Sequence, residues 1–308
     1  MILVRSPLRI TLGGGGTDLP SYYRTHGGFV VSAAITKYVY VAATKPLIPG
    51  IYLKHAVVEE AHSIETVAHP IVRECLRELS IDNVALTTFA DIPGGTGLGS
   101  SGAFTTALLK ALHVYVGKPI TRERLASLAC EVEIDRCGLV GGKQDQYTAA
   151  YGGVNGMTFH PDDTVSVVPV AAADSTWGDL EDNLVLFYTG QTHDSSAIQS
   201  TPSSDEDLEV TALLGCLSVQ ALIYGGSRGF ANNLNSQWED KKKRLPQSTP
   251  ANIDAMREVL LSKGALGVKL VGAGGGGFLL AYGVAPDALN TPSVRVTFNL
   301  DGTKVVTE

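Results

Sequence analysis

Hydrophobic and polar positions alternate most legibly around the middle of the chain. Phe104, Ala107, Leu108, Ala111, Leu112 and Tyr115 recur at three- and four-residue spacing, which predicts a helix with one apolar face. Upstream, Val84–Ala90 has the β-branched and aromatic content of a strand. Between the two lie Gly94, Gly95, Gly97 and Gly99, with Ser100 and Ser101 where an N-cap belongs.

The same reading extends in both directions. Ile2 to Leu12 reads as a strand interrupted by Pro7, and Gly28 to Thr44 as one long strand or two short ones. Ile51–His55 adds a short strand. Pro70 opens a helix that carries Ile71, Val72, Cys75, Leu76 and Leu79 on one face, and Thr121 caps another with Leu125, Leu128, Ala129 and Val132 buried. Val154–Phe159 and Val165–Val170 form paired strands. The small, polar stretch Ala171 to Asp182 is the expected domain boundary, dividing residues 1–175 from 176–308. Beyond it come a strand at Asn183–Thr189, helices near 207–224, 226–240 and 251–263, and strands within Lys269–Tyr282. Val294–Leu300 and Thr303–Thr307 are expected to pair through the turn Asp301-Gly302. This order predicts an α+β second domain.

Three glycine clusters punctuate the pattern. The central one follows a strand and opens a helix, an arrangement that binds phosphate: absent Cβ atoms let backbone N–H groups approach anionic oxygens, and the helix start adds unpaired donors and partial positive charge. A tight turn with an ordinary cap would leave the same trace. The spacing is neither the Walker pattern nor G-x-G-x-x-G. The first cluster, Gly13 to Gly16, lies between Arg9 and Asp18, which reads either as a polar site for a small ligand or as a hairpin with a surface ion pair. The third is Gly272-Ala273 followed by Gly274 to Gly277.

Composition narrows the function. Of 308 residues, 44% are hydrophobic and 18% charged, as in a globular protein with a sizeable core. A net charge of −7 argues against broad nucleic-acid binding, while leaving room for a small anionic ligand at a local positive site. No apolar run of the ~18–20 residues of a membrane span is read here, and no signal-peptide layout. Cys75, Cys130, Cys137 and Cys216 form no C-x-x-C pair and suit buried thiols in a reducing cytosol, so a cytoplasmic location is expected. The seven histidines are scattered singly. Glu239–Arg244 reads as a solvated helix end.

Two further stretches carry candidate chemistry. Glu133 stands at the margin of an apolar helical stripe, either partly buried or paired on the surface with Arg136. Lys143, Gln144, Asp145 and Gln146 are packed between glycine turns. Asp145 there could accept a proton, ligate a cation, or simply cap a helix.

Three ordered glycine motifs, with Pro93-Gly-Gly-Thr-Gly-Leu-Gly-Ser-Ser101 central, resemble the GHMP small-molecule kinase superfamily along nearly the whole chain. Arg9-Ile-Thr-Leu-Gly-Gly-Gly-Gly-Thr-Asp-Leu-Pro20 and Gly142-Lys-Gln-Asp-Gln-Tyr147 are most similar to its D-glycero-D-manno-heptose 7-phosphate kinases. The resemblance implies an α+β two-domain GHMP kinase fold: an N-terminal domain like ribosomal protein S5 domain 2, a ferredoxin-like C-terminal domain, and ATP in the cleft. It implies that Gly94, Gly95, Gly97, Leu98, Gly99, Ser100 and Ser101 wrap the ATP phosphates, with Ser101 and Glu133 on Mg²⁺. Asp145 would take or orient the proton of a sugar's anomeric hydroxyl, and Arg9 would neutralise the transferring phosphoryl group. Asp18, with Gly14, Gly15, Thr17, Lys143 and Gln144, would hold the sugar, backed by Gly275 and Gly276. The implied partners are a sugar phosphate and ATP, without nucleic acid or membrane, and a homodimer is compatible.

One departure bears on the acceptor: many relatives carry Thr-Arg where this chain has Thr192-His193, and a neutral histidine grips a phosphate less well than an arginine. Kinases of another heptose, an octose phosphate or fucose are the alternatives within the superfamily. A catalytically silent sugar- and ATP-binding regulator is the alternative outside catalysis.

Overall fold

A computed structural model describes residues 1–55, 57–192 and 203–307. The first sheet is built on β1 (Ile2–Gly13) and β2 (Gly28–Thr44), antiparallel over their length. Pro7 does not end β1. It is absorbed by a register irregularity between Pro7 and Arg9, and the whole run stays one strand. Further out, β2 pairs with β5 (Val84–Ala90), and β5 pairs in parallel with β3 (Ile51–Lys54), which is flanked by β4 (Val58–Ala61). β6 (Val154–Phe159) pairs with β2 and with β7 (Val165–Pro169).

Helices α1 (Pro20–His26), α2 (Pro70–Leu79), α3 (Ser100–Tyr115), α4 (Arg122–Cys130) and α5 (Gln144–Tyr151) belong to this half. The predicted starts of two of them hold: Pro70 is the first residue of α2, and Thr121 caps α4, its hydroxyl accepting the Arg124 N–H at 3.2 Å. α3 departs from its expected one-sided burial. Gly102, Ala103, Thr105, Thr106 and Leu109 are buried as well, so the helix is enclosed on several faces. Its N-cap is Gly99 in the left-handed conformation (φ 76°), and Ser100 and Ser101 are its first two helical residues. The serine hydroxyls are therefore not spent on capping.

The second sheet is antiparallel, in the order β11 (Ser293–Arg295), β8 (Leu184–Tyr188), β10 (Phe278–Tyr282), β9 (Gly267–Leu270). In chain order this is 4-1-3-2, the ferredoxin-like arrangement. α7 (Asp205–Gln220), α8 (Gly226–Arg244) and α9 (Ala251–Ser262) are inserted between β8 and β9. The run Asp205–Arg244 is long and apolar enough, by length and composition, to cross a membrane, contrary to the reading of the sequence, and 28% of its most apolar window is buried. In its second half Phe230, Leu234 and Trp238 are buried in the protein core.

The stretch expected to be the boundary is a helix, α6 (Asp174–Asn183); its Leu180 is fully buried and its Trp177 meets Phe298 edge-on. The expected division at 175/176 falls inside it. The closing hairpin does not form. Residues 293–295 pair with β8, whereas β12 (Lys304–Thr307) crosses over to pair with β1 of the first sheet. Asp301-Gly302 makes that crossing possible, because a Cβ on Gly302 would stand 2.4 Å from the Ala150 carbonyl oxygen. One core cluster runs through both sheets, joining Leu8, Ile10 and Leu12 of β1 to Leu184, Leu186, Phe278 and Leu280. All four cysteines are free; Cys75 and Cys130 are buried as expected, but Cys216 is exposed.

Candidate active site

The phosphate-loop segment is held from below by the third glycine cluster. Gly95, Gly97 and Gly99 all have positive φ, between 72° and 76°. A Cβ on Gly277 would lie 2.1 Å from the Thr96 carbonyl oxygen, and one on Gly272 2.5 Å from Gly97 Cα. Only glycine lets these two turns lie against each other. Gly94 is open to solvent.

Strand β1 delivers Arg9 beneath this loop. Its amide donates to the Leu98 carbonyl at 2.9 Å, and its guanidinium donates to the Gly97 carbonyl at 2.5 Å and to Asp145 Oδ1 at 2.7 Å. Arg9 is buried, and Asp145, in the first turn of α5, keeps a quarter of its side chain exposed (24%). The ion pair with Asp18 that the sequence left open does not form. Gly99 and Gly102 make room for Asp145: a Cβ on Gly102 would approach Asp145 Cβ at 2.6 Å, and one on Gly99 its Cγ at 3.2 Å. Asp145 caps no helix, since the N-cap of α5 is Lys143 and has no side-chain cap.

Asp18 is buried and held by four hydrogen bonds from three donor groups. The Gln144 amide reaches Oδ2 at 3.1 Å, the Gln144 side chain bridges both oxygens at 3.1 and 3.2 Å, and the Gly16 amide reaches Oδ1 at 3.0 Å. Burial raises its pKa, with Asp145 adding to the rise, while the Gln144 and Gly16 amides oppose it. Gln144 is in turn aligned by the Thr11 hydroxyl at 2.6 Å. A Cβ on Gly142 would sit 1.9 Å from Asp18 Oδ2. Gly142→Ala is therefore expected to displace the Asp18 carboxylate and cost about 10²-fold in kcat/KM for the acceptor, with KM for ATP unmoved. Steady-state kinetics with each substrate varied in turn check this.

Glu133 sits in a π-helical turn, Glu131–Arg136, that continues α4. The surface pairing with Arg136 does not occur, because Arg136 binds Glu131 and Glu78 instead. Glu133 is buried, and its Oε2 accepts the Ser101 hydroxyl at 2.8 Å. Burial pushes its pKa up to about 7, against the opposing hydrogen bonds of Thr105 and Ser101. Its Oε1 and the Ser100 hydroxyl are buried without a partner among the described residues. A divalent cation would satisfy the free Glu133 oxygen beside the Ser101 hydroxyl, so these two residues fit Mg²⁺. No group of three or more His, Cys, Asp or Glu side chains among the described residues is placed to hold a metal. Mg²⁺ itself takes one or two carboxylates and completes its shell with water and substrate phosphates.

A cavity of ≈ 480 Å³ opens from Arg9 and Asp18 along Gly14, Gly15 and Gly16 to α8 and β9. Four of the residues expected at the acceptor site are occupied elsewhere. The Thr17 hydroxyl bonds the Gly14 and Phe29 carbonyls and so fastens the turn. The Lys143 ammonium is spent on Asp163 at 3.0 Å and lies over the Tyr23 ring. Gly276 packs on Gln191, and the Gly275 amide donates to Ser248; neither lines the cavity, whereas Gly272 and Ala273 do. His193 lies outside the described residues. The sequence reading missed Lys241 and Arg244, which turn into the cavity instead of out to solvent, and did not single out Lys269 as a lining residue. The charge run at Glu239–Arg244 was their only trace.

Chain, fold and site together define a kinase of the GHMP type. Residues 62–153 match the model of the GHMP kinases N terminal domain and residues 219–285 that of the GHMP kinases C terminal domain, together more than half of the chain. The chain belongs to the GHMP kinases, which transfer a phosphoryl group from ATP to an alcohol. It is 27% identical over 304 residues to the D-glycero-alpha-D-manno-heptose 7-phosphate kinase of Campylobacter jejuni, covering 91% of this chain and 89% of that one. It is 26% identical over 352 residues to the L-fucokinase/L-fucose-1-P guanylyltransferase of Bacteroides fragilis, covering 96% of this chain but 37% of that one. Among solved structures, a D-glycero-D-manno-heptose 1-phosphate kinase from Bacteroides thetaiotaomicron superposes with a TM-score of 0.82 at 27% identity, covering 100% and 99% of the two chains.

Proposed function

We propose that the protein phosphorylates the anomeric hydroxyl of a heptose 7-phosphate, using ATP and Mg²⁺, to give the 1,7-bisphosphate. The observation that carries this reading is the Asp145–Arg9 pair, 2.7 Å apart, set between the phosphate-loop turn and the cavity that Asp18 lines. Two relatives support the sugar: their names put a phosphate at opposite ends of the same seven-carbon sugar.

Asp18, fixed by Gln144, accepts hydrogen bonds from ring hydroxyls and sets the sugar's orientation. Asp145 orients the anomeric hydroxyl and takes its proton as that oxygen bonds to the γ-phosphorus and the bond to the β-phosphate oxygen breaks. Arg9 keeps the Asp145 carboxylate in place and offsets negative charge on the transferring group. The amides of Gly95 to Ser101 supply donors to the phosphate oxygens. Glu133 and Ser101 would hold Mg²⁺, which would neutralise charge on the nucleotide's phosphates.

Coupled ADP release against a panel of sugars with and without a terminal phosphate tests the proposal. The expected result is turnover with a heptose 7-phosphate well above that with fucose or free heptose. Preference for fucose, the acceptor named for the Bacteroides fragilis relative, would overturn it. Ser101→Ala is expected to raise the Mg²⁺ concentration needed for half-maximal turnover about tenfold, by loss of a hydroxyl that also positions Glu133. A Mg²⁺ titration matching wild type would remove Ser101 from the cation site.

A further inference from the structure

Beyond Asp18 the cavity wall is cationic, and the chemistry above uses none of these cations. Lys241 and Arg244 come from the last turn of α8, and Lys269 from β9. The Lys269 ammonium is buried and donates to Gln237 Oε1 at 2.6 Å. Lys241 donates to the Gly272 and Leu270 carbonyls at 2.5 and 3.4 Å. Arg244 reaches the Ser203 hydroxyl at 3.4 Å, and its Nε, 3.9 Å from Asp240, has no hydrogen-bond partner among the described residues. An ammonium has three donors and a guanidinium five, so each of the three has donors to spare.

These cations crowd one another. Burial lowers the Lys241 pKa well below its usual value, with the charges of Lys269, Arg244 and Arg9 adding to the effect. Burial, then Arg9, pushes Lys269 down to about 7. Asp240 offsets all three cations and Asp207 offsets Arg244; Asp240 is tied to the Thr211 hydroxyl at 2.9 Å, and burial raises its own pKa. Asp18 is engaged by Gln144, and Asp205 stands at the cavity mouth, 3.2 Å from His26. Desolvated like charges without enough counter-charge are costly unless a ligand supplies it. The ligand that fits is a dianion with several acceptor oxygens, at the far end of a molecule whose hydroxyls lie on Asp18.

We propose that Lys241, Arg244 and Lys269 form the subsite for the terminal phosphate monoester of the acceptor, which rests on the phosphorylated-sugar reading above. The subsite makes the enzyme's preference for a phosphorylated sugar depend on pH, since Lys269 must carry its proton to bind the phosphate.

The test compares wild type, Lys269→Met and Arg244→Gln, each as the full chain, on a heptose 7-phosphate and on the same heptose without phosphate. Each variant is expected to lose about 10- to 10²-fold in kcat/KM on the phosphorylated sugar, mostly through KM, the equivalent of one or two charge-assisted hydrogen bonds. The loss on the unphosphorylated sugar should be at least tenfold smaller. For wild type, KM for the phosphorylated sugar should rise as pH passes about 7, and Lys269→Met should flatten that rise. Calorimetric titration with inorganic phosphate at pH 6.5 gives an arm independent of turnover: wild type binds, and both variants bind more weakly. Equal losses on both acceptors with unaltered phosphate binding would overturn the subsite and leave the kinase reading standing. Turnover restricted to unphosphorylated sugars would overturn the heptose 7-phosphate reading and, with it, the assignment of these cations to an acceptor phosphate. Absence of phosphate binding in wild type would overturn the subsite outright.

Discussion

Asp145→Asn is expected to stay folded, to bind ATP as wild type does, and to lose about 10²-fold or more in kcat. Asparagine keeps the shape and one acceptor oxygen, so it can still receive the Arg9 Nε–H that now spans 2.7 Å. It cannot take a proton, and it leaves the Arg9 charge balanced only by the Gly97 carbonyl. The side chain is a quarter exposed. The stability cost should therefore be modest, ~1–3 kcal/mol for one charge-assisted hydrogen bond, visible as a small fall in thermal midpoint. The discriminating comparison is kcat against nucleotide affinity in the same preparation. A variant within threefold of wild type in kcat would take Asp145 out of the reaction and leave it as a brace for Arg9.

Glu133→Gln is the second large effect. Glutamine can still accept the Ser101 hydroxyl, but it offers a cation no charge. Turnover at low millimolar Mg²⁺ should fall by about tenfold or more and recover only partly as Mg²⁺ is raised. Stability should move the opposite way. Burial raises the folded-state pKa of Glu133 to about 7 from a usual value of 4.5. Its contribution to stability is complete below pH 4.5 and is lost as pH rises to about 7, because the unfolded chain releases that proton first. Without Mg²⁺ at pH 8, the glutamine variant should therefore melt above wild type. Adding Mg²⁺ and a nucleotide should restore wild type and help the variant less. Identical melting and identical Mg²⁺ titrations would show that the buried carboxylate is structural.

How much of this could be read before the fold was known varies with the kind of residue. The strand, glycine loop and helix around residue 100 were legible because glycine and helical periodicity are local signals. Arg9, Asp18, Asp145, Glu133 and Ser101 were picked out in the sequence, with their roles implied by motif resemblance; the structure hydrogen-bonds Arg9 to Asp145 and Ser101 to Glu133, and holds Asp18 on Gln144. Thr17 and Lys143 were picked out by the same resemblance, yet their polar atoms are used up inside the scaffold. A motif marks a neighbourhood, but it does not say which way a side chain turns. The cations of α8 ran the other way: a Lys-rich helix end looks solvated in any window, and only β9 packed beside it shows that Lys241 and Arg244 are turned inward.

The amino-acid sequence by itself determined the central strand, glycine loop and helix, since these depend on residues close together in the chain, and its resemblance to a known family implied the phosphoryl-transfer class. The tertiary structure alone decided that β12 returns to the first sheet, that Glu133 is buried rather than paired with Arg136, and that three cations share one cavity with Asp18. Those outcomes depend on contacts between residues many tens to hundreds of positions apart, where burial and charge are set by neighbours that no local pattern names.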